Sequence, residues 1–444
     1  MAEAASGAVE TEGVGAAVVA RHSAFPLPDL EPGIERTDLP GGLRIVTEAM
    51  PEARSITTGA WVRVGARDEP RELAGASHFL EHLLFKGTDT LSAREIAEAV
   101  DRVGGEINAF TAREHTAYYA RLPHAQMQLG MEILGDVLSA PALRPHEVEA
   151  ERQVIIEEIL MNLDAPEDRV HSLLSAAVFG DHPLGREVLG ELKTVEALKR
   201  DDIAAFFERW YTPSTMVVAA AGHLEHGRVV EAVEAALAGR ERGEQPVRMP
   251  PEPPEARVIV ERDDTEQAHI CLGWRSLDND DDDRWALAVA NQILGGGMSS
   301  RLFQEVREQR GLAYSVYSHP TGFDDTGYMT VYCGTAPRRA RETLAVIDDV
   351  VGAVLADGVT EEELAVASGY LEGSMLLALE DSGGRMGRLG RSLMQRDRIT
   401  TIDEHLDRLR KVTTDDVARV LHRVLDGPRS MAAVGPFEAD ALLD

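Results

Sequence analysis

Only two cysteines, Cys271 and Cys333, occur in the 444 residues, too few for a disulfide framework. Both sit in apolar runs that read as strands, which makes them buried thiols rather than a bridge. Basic residues are also scarce: 45 Lys and Arg stand against 76 Asp and Glu, a formal net charge of −31. A phosphate backbone would be repelled by such a surface, which argues against nucleic-acid binding. The acid excess reads first as a solvated surface and only second as an attraction for basic peptides. No apolar run reaches the roughly 18 to 20 residues that a membrane helix needs. The N-terminal stretch contains GVGAAVVA, but Glu3, Glu10 and Glu12 precede it and there is no basic start. That is unlike a secretory signal or a transit peptide, so a cytoplasmic location is expected.

What is present is an ordinary apolar fraction of 44% in a chain too long for one core, so two or more domains are expected. Residues 1–30 are rich in Ala, Gly and Glu without a helix or strand pattern, and read as a flexible tail. Order is expected to begin near IERTDLPGGLRIVTEAM, where a Pro-Gly-Gly turn joins two short strands. Five prolines fall between Pro246 and Pro254, a spacing that neither a helix nor a central strand tolerates. This sets a linker at 241–256 between a first half, 31–240, and a second half, 257–444.

The halves read as diverged copies. TTGAWVRVG around Trp61 parallels HICLGWRSL around Trp274. MEILGDVLSAPALRPHEVEAERQVIIEEI parallels AVIDDVVGAVLADGVTEEELAVASGYLEGSM, and YTPSTMVVAAAGHLE parallels DGPRSMAAVGPFE. Several matches in the same order indicate a tandem duplication. Strands alternating with helices in both copies predict an α/β (α+β) fold of two homologous sandwiches, helices packed on each sheet. Hairpin-like strand pairs recur, so the sheets should be mixed rather than all parallel.

The chemistry centres on ELAGASHFLEHLLFKGTDTLS, which contains His78, Glu81 and His82 as H-x-x-E-H. Positions i, i+3 and i+4 share one helical face, so both imidazoles can grip one metal ion with Glu81 beside it. Leu80, Leu83 and Leu84 on other faces can anchor the helix. A catalytic zinc takes three protein ligands and leaves a position for water, whose pKa falls to about 7. A third ligand is therefore required, and Asp or Glu would serve. Taken alone, the motif also fits an amphipathic helix that happens to carry two histidines. A second helix, HEVEAERQVIIEEILMNL, adds weight: Glu151 and Glu158 lie two turns apart on one face, beside an apolar stripe of Val148, Ile155 and Ile159. A solvated acidic face is the plain alternative.

SHFLEHLLFKGT followed by ERQVIIEEI closely resembles the pitrilysin/insulinase family of zinc metallopeptidases, in the branch similar to the mitochondrial processing peptidase. The resemblance runs from about residue 35 to about residue 435. It implies that His78, His82 and Glu158 bind one Zn2+ per chain, with Glu158 rather than Glu157 at the family's spacing from His82. It implies Glu81 as the catalytic base and Glu151 as a second-helix carboxylate that supports activity, as expected of a group orienting a ligand. GGEINAFTAREHTAYYARL resembles the family's edge strand, on which Asn108, Ala109 and Phe110 meet the substrate backbone by strand addition. His115 in that run reads as a packing histidine. Phe85, just past the motif, is a candidate to line the pocket for the side chain after the cut.

The second half has WALAVANQILGGG where the first has its motif helix, so one metal site per chain is expected. GGGMSSRLFQEVREQRGLAYSVYS resembles the family segment that completes the active site from the other domain, with Arg307 and Tyr314 as its arginine and tyrosine and Arg310 as the competing arginine. Such donors suit a developing oxyanion. Gly295, Gly296 and Gly297 do not follow a phosphate-loop pattern. The resemblance thus implies an endopeptidase hydrolysing short or extended peptides in a clamshell chamber between the halves. It also implies a homodimer, or a heterodimer with a homologous subunit. The alternatives are a non-catalytic scaffold or partner subunit of a peptidase or respiratory-type complex, and a zinc hydrolase acting on a non-peptide.

Overall fold

The computed structural model describes residues 30–238, 240–438 and 442. The expected tail, residues 1–30, lies outside them apart from Leu30. In the first half, β1 (Ile34–Asp38), β2 (Arg44–Ala49), β3 (Ser55–Val62), β4 (Glu106–Thr111), β5 (Thr116–Pro123) and β6 (Met216–Gly222) form one sheet. Its order is β1-β2-β6-β3-β5-β4, and only β2 and β6 run parallel. In the second half, β7 (Val258–Arg262), β8 (Ala268–Ser276), β9 (Ala313–Gly322), β10 (Gly327–Thr335) and β11 (Arg429–Gly435) order as β7-β11-β8-β10-β9, with β7 and β11 parallel. Apart from β1, the two sheets share one strand order and one parallel pair, as a tandem duplication of a mixed sheet requires. The paired segments read from the sequence fall on matching strands: TTGAWVRVG on β3 and HICLGWRSL on β8, then β6 and β11.

The first half carries α1 (Ala76–Leu84), α2 (Ala93–Asp101), α3 (Met127–Ser139), α4 (Pro145–Leu163) and α5 (Pro166–Phe179). It continues with α6 (Leu192–Ala197), α7 (Arg200–Trp210) and α8 (His226–Ala236). The second half has α9 (Arg284–Leu294), a π-helical turn (Phe303–Gln309), α10 (Ala340–Asp357) and α11 (Glu361–Ala378). It closes with α12 (Ser382–Arg396), α13 (Ile402–Arg410) and α14 (Thr414–Leu425). The pair α3–α4 thus corresponds to α10–α11. No helix among the described residues is long and apolar enough to cross a membrane.

Central strands such as β6, MVVAAAG, are buried throughout, so both faces of each sheet must be covered. Helices of the same half cover one face. The other face is covered reciprocally. From the second half, α12 lays Met386, Leu389 and Leu393 on Val46, Trp61, Val217 and Ala219 of the first sheet. From the first half, α5 lays Val170, Leu174 and Val178 on Cys271, Tyr332 and Ala432 of the second. Gly390 makes the first contact possible, because a Cβ there would stand 2.4 Å from the Trp61 ring. Both cysteines are buried free thiols, and burial pushes Cys333 up to about 12.

Residues 240–257 contain neither helix nor strand, yet they are fastened. Arg248 donates to Asp68 Oδ2 at 2.7 Å and to Asp324 Oδ2 at 2.6 Å, one carboxylate from each half. Arg67 donates to Glu114 at 2.5 Å and to Asp325 at 2.6 Å, again spanning the halves.

Candidate metal centre and active site

Helix α1 starts at Gly75, whose φ of 98° is left-handed and open to glycine without strain. No side chain of its own caps it. Instead Glu69, from the preceding loop, accepts from the Gly75 N–H at 2.8 Å and the Ser77 N–H at 2.7 Å. These are otherwise orphaned helix donors, and the site suits a carboxylate at the positive end of the dipole. Burial nevertheless outweighs both donors and pushes the Glu69 carboxyl up to about 8. Phe79, Leu80, Leu83 and Leu84 are buried, fixing the helix so that His78, Glu81 and His82 face α4 and β4.

Helix α4 opens on Pro145 at its first position, where the missing N–H costs nothing. It buries Val148, Ile155 and Ile159, the stripe expected of it, together with Glu151. Glu158 Oε2 stands 3.6 Å from His78 Nε2 and 3.6 Å from His82 Nε2. The three ligand atoms lie within 4.8 Å of one another. Ligands about 2.0–2.1 Å from a tetrahedral zinc are separated by roughly 3.3–3.5 Å, close to the two 3.6 Å separations from Glu158, so a bound ion would need only to draw the three groups together. Burial, with the neighbouring His82, pushes His78 down to about 4, leaving its ring neutral and its lone pair available.

Around the cluster, Glu151 Oε2 lies 3.1 Å from His82 Nδ1 and its Oε1 lies 2.6 Å from Lys86 Nζ. A carboxylate at Nδ1 places the ring proton there and turns Nε2 toward Glu158 as an acceptor. The Thr111 hydroxyl donates to Glu81 Oε2 at 2.6 Å. Burial raises the Glu81 pKa, and the Thr111 bond and His82 oppose that rise. Glu69, Lys86 and Thr111 were not singled out from the sequence. Lys86 lay inside the quoted SHFLEHLLFKGT and Thr111 beside Phe110, so their positions were visible but their contacts were not; nothing signalled Glu69.

Among the described residues, strand β4 is an edge of its sheet, pairing only with β5. Asn108 and Phe110 point to the exposed side and Ala109 is half-buried. The Ala109 N–H donates to Asn108 Oδ1 at 2.8 Å, and Phe110 meets His115 edge-on at 5.7 Å. His115 therefore packs against the strand, outside the cluster. Phe85 caps α1 and packs edge-on to Tyr118 at 6.0 Å while still partly exposed. In the second half, the Arg307 guanidinium stacks 4.6 Å over the Tyr314 ring and 4.7 Å over Phe303. Arg307 lies in the π-helical turn and Tyr314 is 78% exposed. Arg310 instead turns to Glu305 at 3.4 Å. No hydrogen bond or ion pair among the described residues joins Arg307 or Tyr314 to the metal cluster.

Comparison with known proteins bears on the whole chain. Residues 44–192 match the insulinase family, peptidase family M16, and residues 197–368 match the domain described as the peptidase M16 inactive domain. A relative from Streptomyces coelicolor named an uncharacterized zinc protease is 46% identical over 413 residues, spanning 91% of this chain and 90% of its own. One of the same description from Bacillus subtilis is 36% identical over 405 residues, spanning 91% and 98%. In fold, the chain is similar to the crystal structure of a protease from Helicobacter pylori, with a TM-score of 0.85, 23% identity, and 90% and 99% of the two chains covered. It is equally similar, at a TM-score of 0.85 and 21% identity, to a peptidase M16 inactive domain from Pseudomonas fluorescens, covering 91% and 99%. The chain belongs to the insulinase family of peptidases, family M16.

Proposed function

We propose that the protein is a zinc-dependent endopeptidase with one active site per chain, its metal held by His78, His82 and Glu158. The observation that carries this reading is Glu158 Oε2 equidistant from the two Nε2 atoms, with the Glu81 carboxylate on the same helical face. A zinc ion held there supplies Lewis acidity and lowers the pKa of water at the site. Glu81 takes the proton from the attacking water and returns it to the leaving amine, the work of a general base turned general acid. Thr111 orients that carboxylate from the end of β4. Glu151 holds His82 by Nδ1 and is itself held by Lys86. An extended peptide adds to β4 along Asn108, Ala109 and Phe110, and Phe85 borders the side chain after the cut. The Arg307 guanidinium and Tyr314 hydroxyl donate to the scissile carbonyl oxygen as it gains charge.

In this reading residues 31–240 and 257–444 are the two domains, joined by the Pro-rich segment 241–256, and the peptide lies in a chamber between them. The protein acts in the cytoplasm as a homodimer or beside a homologous partner subunit. The presence of the complete set, from metal ligands to the Arg307–Tyr314 pair, favours an enzyme over a scaffold. Metal analysis together with digestion of a peptide library, mapped by mass spectrometry, tests it. About one zinc per chain and cleavage of short peptides are expected, with Glu81→Gln keeping the metal and losing about 10²–10⁴-fold in rate. Zinc-loaded protein that leaves the library uncut would falsify the proposal.

A further inference from the structure

A cavity of about 510 Å³ opens between α9, α11, α12 and α13, and its walls differ from the rest of this acidic molecule. Arg284, Arg388, Arg391, Arg396 and His405 line it, and no carboxylate does. Two of these cations are already engaged. Arg388 pairs with Glu31 at 2.7 Å and stands 3.6 Å from Glu48. Arg284 covers the face of Trp285 at 3.5 Å and donates to the carbonyls of Asp280 and Asp281. The other two arginines, Arg391 and Arg396, have no ion pair among the described residues. Among the described residues, Arg396 donates only to the Asn279 carbonyl at 3.1 Å, and its buried Nε has no partner. Arg391 makes no hydrogen bond or ion pair among the described residues. Trp285, 6% exposed, also keeps its Nε1 without a partner. Leu371, Met375 and Leu409 add apolar lining.

We infer that this cavity binds the C-terminal carboxylate of a short peptide whose last residue is apolar. Unneutralised guanidinium groups bind carboxylates by charge-assisted hydrogen bonds, bidentate where the geometry allows. About two free cations match one carboxylate better than a polyphosphate, and an inorganic anion would leave the apolar lining unused. The identity of the ligand as a peptide rests on the peptidase reading.

Isothermal titration of the full-length protein with N-acetyl-Leu-Leu-Leu, its C-terminal amide, and inorganic pyrophosphate tests the inference. Cleavage of each peptide is followed in parallel by mass spectrometry. The acid should bind at least about tenfold more tightly than the amide, with the preference lost in Arg391→Gln and largely kept in Arg391→Lys. Equal binding of acid and amide, or a preference unchanged in Arg391→Gln, overturns it. So does binding of pyrophosphate without the acid peptide, which would mark an inorganic-anion site. Should Arg391→Gln fail to fold, the acid–amide comparison on the unaltered protein decides. An absence of cleavage with the acid preference intact would count against the peptidase reading alone.

Discussion

At the scale of single residues, the proposed metal cluster contains two carboxylates in different surroundings. Glu158 shares its Oε2 between two imidazoles, whereas Glu151 is buried behind His82 and neutralised by Lys86. Glu151→Gln should therefore leave the fold intact and weaken zinc binding by about 10–100-fold, read by competition with a chromophoric chelator. Thr111 touches Glu81, the proposed base, rather than the proposed metal ligands. Its hydroxyl is among the contacts that lower the Glu81 pKa, so Thr111→Val should raise it. The acid limb of the kcat/KM profile would then move to higher pH, with the alkaline limb in place. A profile that falls uniformly at all pH values would mean that Thr111 only supports β4.

At the scale of elements, the N-terminus of α1 depends on a carboxylate that is itself fully buried. Glu69 has its pKa raised from 4.5 to about 8 by burial. Over that window the folded chain keeps a proton that the unfolded chain has released, so stability must fall as pH rises. The contribution is complete below about 4.5 and lost as pH passes through about 8. Across this range the thermal midpoint of the unaltered protein should decline relative to that of Glu69→Gln, which has no proton to lose. Parallel curves for the two proteins would sink the idea. The edge strand β4 poses a different problem for its element, since a free edge invites pairing with another chain. Here the exposed side carries Glu106, Asn108 and Phe110, the short edge along which the proposed peptide substrate would add.

At the scale of the whole molecule, the halves are not two beads on a string. Each sheet is finished by a helix from the other half, α12 on the first and α5 on the second. Arg248 and Arg67 then tie the intervening segment and both halves into one ionic cluster. Removing one partner of a buried pair costs about 3–5 kcal/mol, so Arg248→Met should lower the urea midpoint of the full chain markedly. Gly390→Leu tests the helix exchange directly. Filling the space against Trp61 should cost about 1–3 kcal/mol or more and lift α12 from the first sheet. Faster limited proteolysis within α12, with new exposure of Trp61 fluorescence, would report it. Unchanged proteolysis would show that the interface repacks around the larger side chain.

The amino-acid sequence by itself determined what depends on periodicity and local order. A helical repeat puts His78, Glu81 and His82 on one face and Glu151 and Glu158 on one face, because i, i+3, i+4 and i+7 positions align in any α-helix. The repeated order of segments likewise made the paired mixed sheets legible. Only the tertiary structure decided which atoms meet. The convergence of Glu158 on both Nε2 atoms, the bond from Thr111 to Glu81 and the Glu69 cap all join residues from separate elements, and no periodicity encodes such distances. The helix exchange was equally hidden, since an apolar helix face says that it will be buried but not against which sheet. The arginine cavity is the extreme case. Its arginines come from α9 and α12 of a chain whose net charge is −31, and only packing brings Arg391 and Arg396 to one place with no ion pair among the described residues.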